Sequence, residues 1–193
     1  MGTKAPALVA LYSPAPQMGK TTTTGLLSEG LGYVNIKFAA GLKAMTKAFL
    51  REIGVPEDQL DLYVEGPLKE EPLSAYGFDH ITTRYVMQTL GKEWGRDCID
   101  TNLWTTIAGR KARKVMDEGG RVVIDDMRYP NEYDLVRTMG GETWCVYNPR
   151  VEMQTTGHQS EGLLANHAFD QALINDGTIE GLEVQVSAAV TRF

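Results

Sequence analysis

The sequence predicts an α/β fold in which the strands of a parallel sheet alternate with helices. Short apolar runs rich in β-branched residues recur along the chain, and segments with helical periodicity lie between them. The first run is followed by Gly19-Lys20-Thr21, and a later one ends in Asp125 and Asp126. Ligands of such folds bind at the carboxyl ends of the strands, so we expect a functional site at these two positions.

The N-terminal part of the chain reads as a strand–helix–strand unit. A strand is predicted over Ala7–Tyr12, a helix over Lys20–Leu31 and a second strand over Val34–Ala39. This βαβ order predicts that the two strands are parallel. Apolar residues at helical spacing then predict a helix over Leu42–Ile53, and another helix is predicted over Asp79–Trp94.

The segment between these last two helices, residues 54–77, is acidic and rich in Pro and Gly. Its simplest interpretation is a solvated loop. In a kinase, a segment of this kind would be a mobile substrate-side element that covers the bound substrate.

The C-terminal part continues the same alternation, and residues 150–166 form a polar, irregular stretch within it. Gly119-Gly120 and Gly140-Gly141 are predicted to end two of its helices. The predicted helices are Asn102–Glu118, Asn131–Met139 and Thr178–Val190, and the predicted strands are Arg121–Asp126, Glu142–Tyr147 and Ala172–Ile174.

Composition narrows the functional classes. The chain has 193 residues, 42% of them hydrophobic and 23% charged, which predicts one globular domain over residues 1–193. A net charge of −6 argues against binding to nucleic acid or to an anionic membrane, but it allows a local phosphate site. Two cysteines form no metal-binding pattern, and no apolar run or leader pattern predicts a membrane span or export. We therefore expect a soluble cytoplasmic protein.

The segment after the first strand matches the end of the P-loop pattern G-x-x-x-x-G-K-[ST], although Pro14 replaces its first glycine. Backbone N–H groups at a helix N-terminus bind phosphate, a lysine such as Lys20 reaches the outer phosphates, and a hydroxyl such as that of Thr21 completes the shell of Mg²⁺. Pro14 and Pro16 supply no N–H group, so the loop is expected to hold phosphate less tightly. The alternative is an ordinary Pro-rich turn.

Acidic and basic side chains follow the strand that ends near residue 125. Asp125 and Asp126 are placed to hold Mg²⁺ through water or to accept a hydrogen bond from a nucleophile. Arg128 suits bidentate phosphate contact, and Glu132 is placed to pair with it. The alternative for Asp125 and Asp126 is a role in a turn or helix cap. The alternative for Arg128 and Glu132 is an exposed surface ion pair without a function.

Two further positions carry groups that suit nucleotide contacts. Arg84 and Gln88 lie four residues apart, so one helix face presents a phosphate-binding guanidinium and an amide for a base edge. An exposed amphipathic face is the alternative. Asn175 precedes the last helix as part of a turn signal, and secondarily it could bring an amide near an adenine.

Taken in order along the chain, these elements resemble the bacteriophage deoxynucleoside monophosphate kinases. The resemblance covers nearly the whole sequence, and its strength lies in the order of motifs that are weak singly. The motifs are Gly19-Lys20-Thr21, Phe38-Ala-Ala-Gly-Leu-Lys43, Arg84-Tyr-Val-Met-Gln88-Thr-Leu-Gly91, Trp104, Asp126-Met-Arg128-Tyr-Pro-Asn-Glu132, His158-Gln-Ser-Glu161 and Asn175-Asp-Gly-Thr178.

The resemblance implies a P-loop, nucleoside-monophosphate-kinase-like three-layer fold, with a parallel central sheet, helices on both faces and a lid over residues 150–166. It also implies that ATP, with Mg²⁺, phosphorylates a deoxynucleoside 5′-monophosphate (dNMP). By this carry-over, ATP contacts Gly19, Lys20, Thr21, Thr22, Arg150 and Asn175, and Mg²⁺ contacts Thr21 and Asp125. The acceptor contacts Lys43, Arg84, Gln88, Gly91, Trp104, Asp126, Arg128 and Glu132, and the catalytic residues are Lys20, Asp126 and Arg128.

Two other functions fit the same residues. One is a P-loop kinase for another small metabolite, of the dephospho-coenzyme A or shikimate type. The other is a nucleotide-binding module that no longer transfers phosphate, which the missing loop glycine makes worth testing. A homodimer is compatible with the sequence, and the accepted bases are not predicted.

Overall fold

The computed structural model describes residues 5–151 and 162–191. The chain divides into two compact units: the first runs up to Phe38 and resumes at Ala108, and the second spans Ala39–Ile107. Most of the predicted lid falls on residues 152–161, which lie outside the described residues. The single kinase domain predicted over residues 1–193 stays a prediction.

A five-stranded parallel sheet forms the centre of the first unit, with the strand order β2-β5-β1-β6-β7. Two short antiparallel strands, β3 and β4, belong to the second unit. The strands are β1 (Leu8–Tyr12), β2 (Tyr33–Ile36), β3 (Pro72–Leu73), β4 (Phe78–Thr82), β5 (Arg121–Ile124), β6 (Glu142–Tyr147) and β7 (Gln171–Ile174).

Helices cover both faces of the main sheet or build the second unit. Two of them continue as π-helix, α1 over Leu26–Gly30 and α4 over Leu90–Ile99, and short 3-10 turns occupy Glu57–Gln59, Pro67–Glu70 and Ser74–Tyr76. The α-helices are α1 (Lys20–Gly25), α2 (Ala40–Glu52), α3 (Leu60–Val64), α4 (Thr83–Thr89), α5 (Leu103–Asp117), α6 (Pro130–Thr138) and α7 (Ile179–Val190).

The buried side chains of β1 alternate between two hydrophobic cores, as the two-residue period of a strand requires. Leu8 and Ala10 pack into a core with apolar residues of α5 and α6. Val9 and Leu11 pack into a second core with residues of α7 and of the π-helical turn after α1. Every residue of β1 is buried, which explains why this strand is a continuous apolar run. The three-layer α/β fold is thereby confirmed.

The second unit has a hydrophobic core of its own, and this core corrects the interpretation of residues 54–77 as a solvated loop. The segment contains α3, β3 and three 3-10 turns. Leu60, Val64 and Leu73 are at most 2% exposed and pack with Leu50 of α2. The acidic composition of the segment led to the loop interpretation, although Leu60 and Val64 are four residues apart and therefore share one helical face. The role of the segment in covering a substrate stays a prediction.

The helix predicted over Asp79–Trp94 begins four residues later in the structure than the sequence predicted. Residues up to Thr82 belong to β4, and α4 begins only at Thr83. The Thr82 side chain caps the helix by accepting a hydrogen bond from the N–H of Tyr85 (3.1 Å). The remaining predicted helices and strands of the main sheet occur within about two residues of their predicted bounds, except that β2 ends at Ile36 instead of Ala39. Among the described residues, no helix has both the length and the apolarity that crossing a membrane requires.

Candidate active site

The loop between β1 and α1 forms a cleft of about 470 Å³ in the first unit. We call it the phosphate-loop cleft. Its wall consists of residues 12–22 together with Arg128, Gly162 and Asn175. Since β1 ends at Tyr12, the cleft lies at the carboxyl end of a central parallel strand, where the sequence predicted a site.

The backbone of this loop requires a glycine at its end. Gly19 has a φ of 104°, in the left-handed region that residues with a Cβ rarely adopt. Its carbonyl oxygen then accepts hydrogen bonds from the N–H (2.9 Å) and the hydroxyl (3.1 Å) of Thr23, which closes the first turn of α1. Gln17 also has a positive φ, of 61°. The chain therefore turns sharply twice before Lys20 begins the helix.

The Lys20 ammonium lies in a positively charged, poorly solvated position. Burial lowers its pKa, and the nearby Arg128 guanidinium lowers it further, while Asp126 and Asp125 oppose the shift. Among the described residues, no carboxylate forms an ion pair with Lys20 or Arg128. Two cations that repel each other in one cleft favour a bound anion.

Two neighbouring carboxylates follow β5, and they have different partners. Asp126 Oδ1 accepts a hydrogen bond from the backbone N–H of Phe38 (2.9 Å). Asp125 Oδ2 lies 3.3 Å from Lys37 Nζ and accepts a hydrogen bond from Asn35 Nδ2 (3.1 Å). Asp125 Oδ1 is buried and has no hydrogen-bond partner among the described residues. A buried carboxylate oxygen in this state fits a hard cation such as Mg²⁺.

Glu132 positions the backbone of Arg128. It is only 3% exposed, and its Oε2 accepts hydrogen bonds from the N–H groups of Arg128 (2.7 Å) and Tyr129 (3.0 Å). Tyr129 precedes α6, so the carboxylate also satisfies an N–H group at the helix start. The predicted contact between Glu132 and Arg128 therefore exists at the Arg128 backbone, and the exposed Arg128 side chain lines the phosphate-loop cleft.

The other predicted ATP-contacting residues lie on different elements of the first unit. Thr21 and Thr22 open α1 and line the cleft. Asn175 follows β7 and donates a hydrogen bond from Nδ2 to the carbonyl oxygen of Met18 (3.2 Å). Arg150 is exposed after β6, directly before the part of the chain that is not described.

The predicted acceptor residues of the second unit include two cations that are already paired. Lys43 of α2 lies 2.6 Å from Glu65, and Arg84 of α4 pairs with Glu70. Both carboxylates belong to the segment 54–77. Gln88 lies on α4, one helical turn after Arg84, and is exposed.

Gly91 and Trp104 are brought together inside the second unit. The Trp104 indole is 3% exposed, and its Nε1 donates a hydrogen bond to the carbonyl oxygen of Gly91 (2.8 Å). A Cβ on Gly95 would lie 2.7 Å from this indole, so a glycine is required there. In the described structure Trp104 thus supports the backbone at Gly91, and contact of either residue with an acceptor stays a prediction.

Sequence reasoning missed Lys37 and Met18. Lys37 follows β2, whose Ile36 pairs with Ile124 of β5, so this register places Lys37 beside Asp125. No local sequence pattern indicated this contact, because β2 and β5 become neighbours only in the folded sheet. Met18 is 1% exposed within the loop, and its contact with Asn175 spans 157 residues, which no local pattern indicates.

Comparison with known proteins gives a matching family and a similar viral protein. The family model described as "Deoxynucleotide monophosphate kinase" matches residues 20–186, a match that begins at Lys20 and leaves out the preceding loop. A protein of Acanthamoeba polyphaga mimivirus, named "Putative deoxynucleotide monophosphate kinase", is 28% identical over 181 residues, which cover 89% of this chain and 90% of the relative.

Two solved structures align with most of the chain at low similarity. TT1252 from Thermus thermophilus has 18% identity and a TM-score of 0.42, with 96% of each chain covered. Dephospho-CoA kinase from Campylobacter jejuni has 14% identity and a TM-score of 0.38, with 97% of this chain and 98% of that chain covered.

Proposed function

The chain belongs to the deoxynucleotide monophosphate kinase family, and we propose that it transfers the γ-phosphoryl group of ATP to a deoxynucleoside 5′-monophosphate. The observation that carries this proposal is the pair of cations in the phosphate-loop cleft. Lys20 and Arg128 line the cleft without a carboxylate partner among the described residues. A polyphosphate would supply the negative charge that this arrangement lacks.

On the donor side, the phosphates would bind where α1 begins. The first N–H groups of a helix have no helical partner, and they are directed toward the space before the helix. Lys20 would reach the outer phosphates from the same turn, with Gly19 and Thr22 beside it. Arg150 and Asn175 complete the donor residues that the sequence predicts.

We assign Mg²⁺ to Thr21, which lines the cleft, and to Asp125, which follows β5. Thr21 offers a hydroxyl at the start of α1, and Asp125 Oδ1 is a buried carboxylate oxygen that has no hydrogen-bond partner among the described residues. The described residues include no cluster of three or more His, Cys, Asp or Glu that could hold a metal. Mg²⁺ needs no such cluster, since in kinases it is held by one or two side chains, substrate phosphates and water. When bound, it would neutralise charge on the phosphate oxygens.

The reaction requires positioning and charge neutralisation rather than a covalent enzyme intermediate. An oxygen of the acceptor phosphate forms a bond to the γ-phosphorus while the bond from the γ-phosphorus to the bridging oxygen breaks, and ADP leaves. Lys20 and Arg128 would stabilise the charge on the transferring group. Asp126 opposes the lowering of the Lys20 pKa, and in this way it favours the charged form of the lysine that the chemistry needs.

On the acceptor side, we propose that Arg84 and Lys43 bind the phosphate of the dNMP and that Gln88 contacts its base. Arg84 and Gln88 lie one turn apart on α4, which suits a ligand with a phosphate and a base. The sequence-based assignment adds Gly91, Trp104, Asp126, Arg128 and Glu132 to the acceptor residues, and their contact with the dNMP stays a prediction.

The test is a panel of the common dNMPs with ATP and Mg²⁺, read by ADP formation and by the identity of the product nucleotide. We expect ADP and one or more deoxynucleoside diphosphates in equal amounts, and loss of both when EDTA removes the metal. The same panel includes dephospho-coenzyme A and shikimate. Turnover with one of these metabolites and with no dNMP would contradict the proposal. ATP binding without transfer to any acceptor would indicate a nucleotide-binding module.

A further inference from the structure

Asn175 contacts the phosphate loop at its tightest point. Its Nδ2 donates a hydrogen bond to the carbonyl oxygen of Met18 (3.2 Å). The same amide packs against Gly19 so closely that a Cβ on that glycine would lie 2.4 Å from Nδ2. Real side chains do not tolerate such a distance, so the loop and Asn175 fit together only because residue 19 is a glycine.

The backbone of Asn175 is fixed by the main sheet. Its N–H donates a hydrogen bond to the carbonyl oxygen of Tyr147 (2.7 Å), which extends the pairing of β7 with β6 by one residue. The residue after Tyr147 also contacts the loop, because the N–H of Asn148 donates to the sulfur of Met18 (3.2 Å). Two neighbouring strands therefore hold Met18, one at its carbonyl oxygen and one at its thioether.

Within the loop, the Ser13 hydroxyl donates a hydrogen bond to the carbonyl oxygen of Ala15 (2.9 Å), a bond that lies before the sharp turn at Gln17–Gly19. Pro14 and Pro16 have no N–H group to donate, and Pro14 stands where the P-loop pattern has a glycine. Gln17 adopts a positive φ of 61°, a conformation that costs a residue with a Cβ some stability. A contact from outside the loop compensates for these features, and Asn175 and Asn148 supply it.

We propose that Asn175 is a positioning residue for the donor site. Its side-chain amide holds the Met18–Gly19 peptide in the orientation that directs the loop and the start of α1 toward the phosphates. This inference rests on the proposed binding of ATP phosphates in the cleft. It replaces the sequence-based hypothesis that the Asn175 amide contacts the adenine.

The first test compares the binding of ATP with that of inorganic tripolyphosphate, which has no base, by titration calorimetry with Mg²⁺. Asn175→Ala removes the amide, and Asn175→Leu removes the hydrogen bond while keeping the volume of the side chain. We expect both variants to bind both ligands about tenfold more weakly, as the loss of one hydrogen bond allows. Weaker ATP binding with unchanged tripolyphosphate binding would show a contact with the adenosine and overturn the proposal.

Kinetics and melting separate positioning from a general structural role. We expect the KM for ATP to rise about tenfold in both variants, with the acceptor KM and the melting temperature unchanged. Equal losses with both substrates, accompanied by a lower melting temperature, would overturn the proposal. The control is Glu183→Ala, which truncates an exposed side chain of α7 in the same unit that does not line the cleft.

A double-mutant cycle with Gly19→Ala tests the contact directly. The new methyl group would collide with the Asn175 amide, whereas Asn175→Ala leaves room for it. The strain at φ 104° is present in both backgrounds and cancels in the cycle. We expect the loss of tripolyphosphate affinity in the double variant to be smaller than the product of the single losses, and strictly multiplicative losses would contradict the contact.

The wild-type titration distinguishes failure of this inference from failure of the proposed function. If wild-type protein binds tripolyphosphate and Asn175→Ala binds it equally well, Asn175 does not position the loop, while the donor site stands. If wild-type protein binds neither ATP nor tripolyphosphate, the proposed donor site fails and the role of Asn175 fails with it.

Discussion

The candidate phosphate-binding cations of the two units differ in whether they form ion pairs with carboxylates. Lys20 and Arg128 of the first unit share a cleft and have no carboxylate partner among the described residues. Lys43 and Arg84 of the second unit are paired with Glu65 and Glu70. In the first arrangement, Asp125 and Asp126 act on Lys20 without forming an ion pair with it, whereas in the second each cation contacts a carboxylate directly.

The pairs of the second unit form a regular series along α2. Its cations at Lys43, Lys47 and Arg51 contact carboxylates that recur at the same spacing in the opposite direction along the chain. Those carboxylates are Glu65, Asp61 and Glu57. Exposed ion pairs of this kind contribute little to stability because solvent screens them, so a phosphate dianion can replace one at little cost. For the proposed function, this difference means that Lys20 and Arg128 can bind a phosphate directly, whereas Lys43 and Arg84 would first have to release Glu65 and Glu70.

The largest expected effect comes from removing the charge of Lys20. Lys20→Met keeps the length of the side chain and deletes its ammonium, and we expect kcat to fall by about 10²–10³-fold because the transferring charge loses a stabilising group. Steady-state assays at saturating ATP and dNMP measure this. Lys111→Met on the exposed face of α5 is the control and should keep full activity. A Lys20 variant with near-normal kcat would remove this lysine from the mechanism.

The next largest effect is expected from Arg128→Ala. This variant should lower kcat/KM about 100-fold, because it loses the guanidinium that is directed at the phosphates. The melting temperature should hardly change, because the side chain is exposed and Glu132 binds the backbone N–H of residue 128, which the variant retains. Kinetics and thermal melts on the same preparation test both statements. If activity falls only together with the melting temperature, Arg128 supports the fold and not the reaction.

A smaller effect, in the opposite direction, is expected from the carboxylates of the second unit. Glu65→Gln and Glu70→Gln free Lys43 and Arg84 from their ion pairs, so the acceptor KM should fall about two- to fivefold, the range of an exposed pair. Glu57→Gln releases Arg51, which has no proposed role in binding, and should leave the acceptor KM unchanged. The ATP KM should stay constant in all three. An acceptor KM that rises in the Glu70 variant would reverse the interpretation of its pair with Arg84.

The smallest effect concerns stability. Burial, followed by repulsion from Arg128, lowers the pKa of Lys20 in the folded protein, so the charged lysine destabilises the fold at neutral pH. We expect Lys20→Met to raise the melting temperature of the nucleotide-free protein by about 1–3 °C.

The sign can be checked by repeating the melts at increasing pH. As the pH rises through the lowered pKa of the folded protein toward the ordinary lysine pKa, the folded wild type loses its proton first, and its stability rises. The difference between wild type and Lys20→Met should therefore shrink in alkaline buffer. A difference that grows with pH would contradict the assigned shift.

Local patterns were enough to identify most of the elements. Continuous apolar runs predicted β1 and β5, because strands buried on both faces have no polar side to interrupt the run. Gly19-Lys20-Thr21 located the loop correctly, since its conformation depends on a glycine at one position and a helix start at the next. The same reasoning failed at residues 54–77, where charged residues, prolines and glycines interrupt the apolar side chains that form the second core.

The tertiary structure alone determines which ion pairs and hydrogen bonds form between residues that are distant in the sequence. The alternation of short apolar runs and helical segments already implied a parallel sheet. It also implied that Lys20 and the two aspartates lie at the carboxyl ends of its strands. Whether a cation there is paired, as Lys37 is with Asp125, or unpaired, as Lys20 is among the described residues, depends on strand register and on residues about 90 or more positions away. The contact of Asn175 with Met18 belongs to the same class. Periodicity reports which face of an element is buried, whereas hydrogen bonds and charge pairs depend on which elements become neighbours.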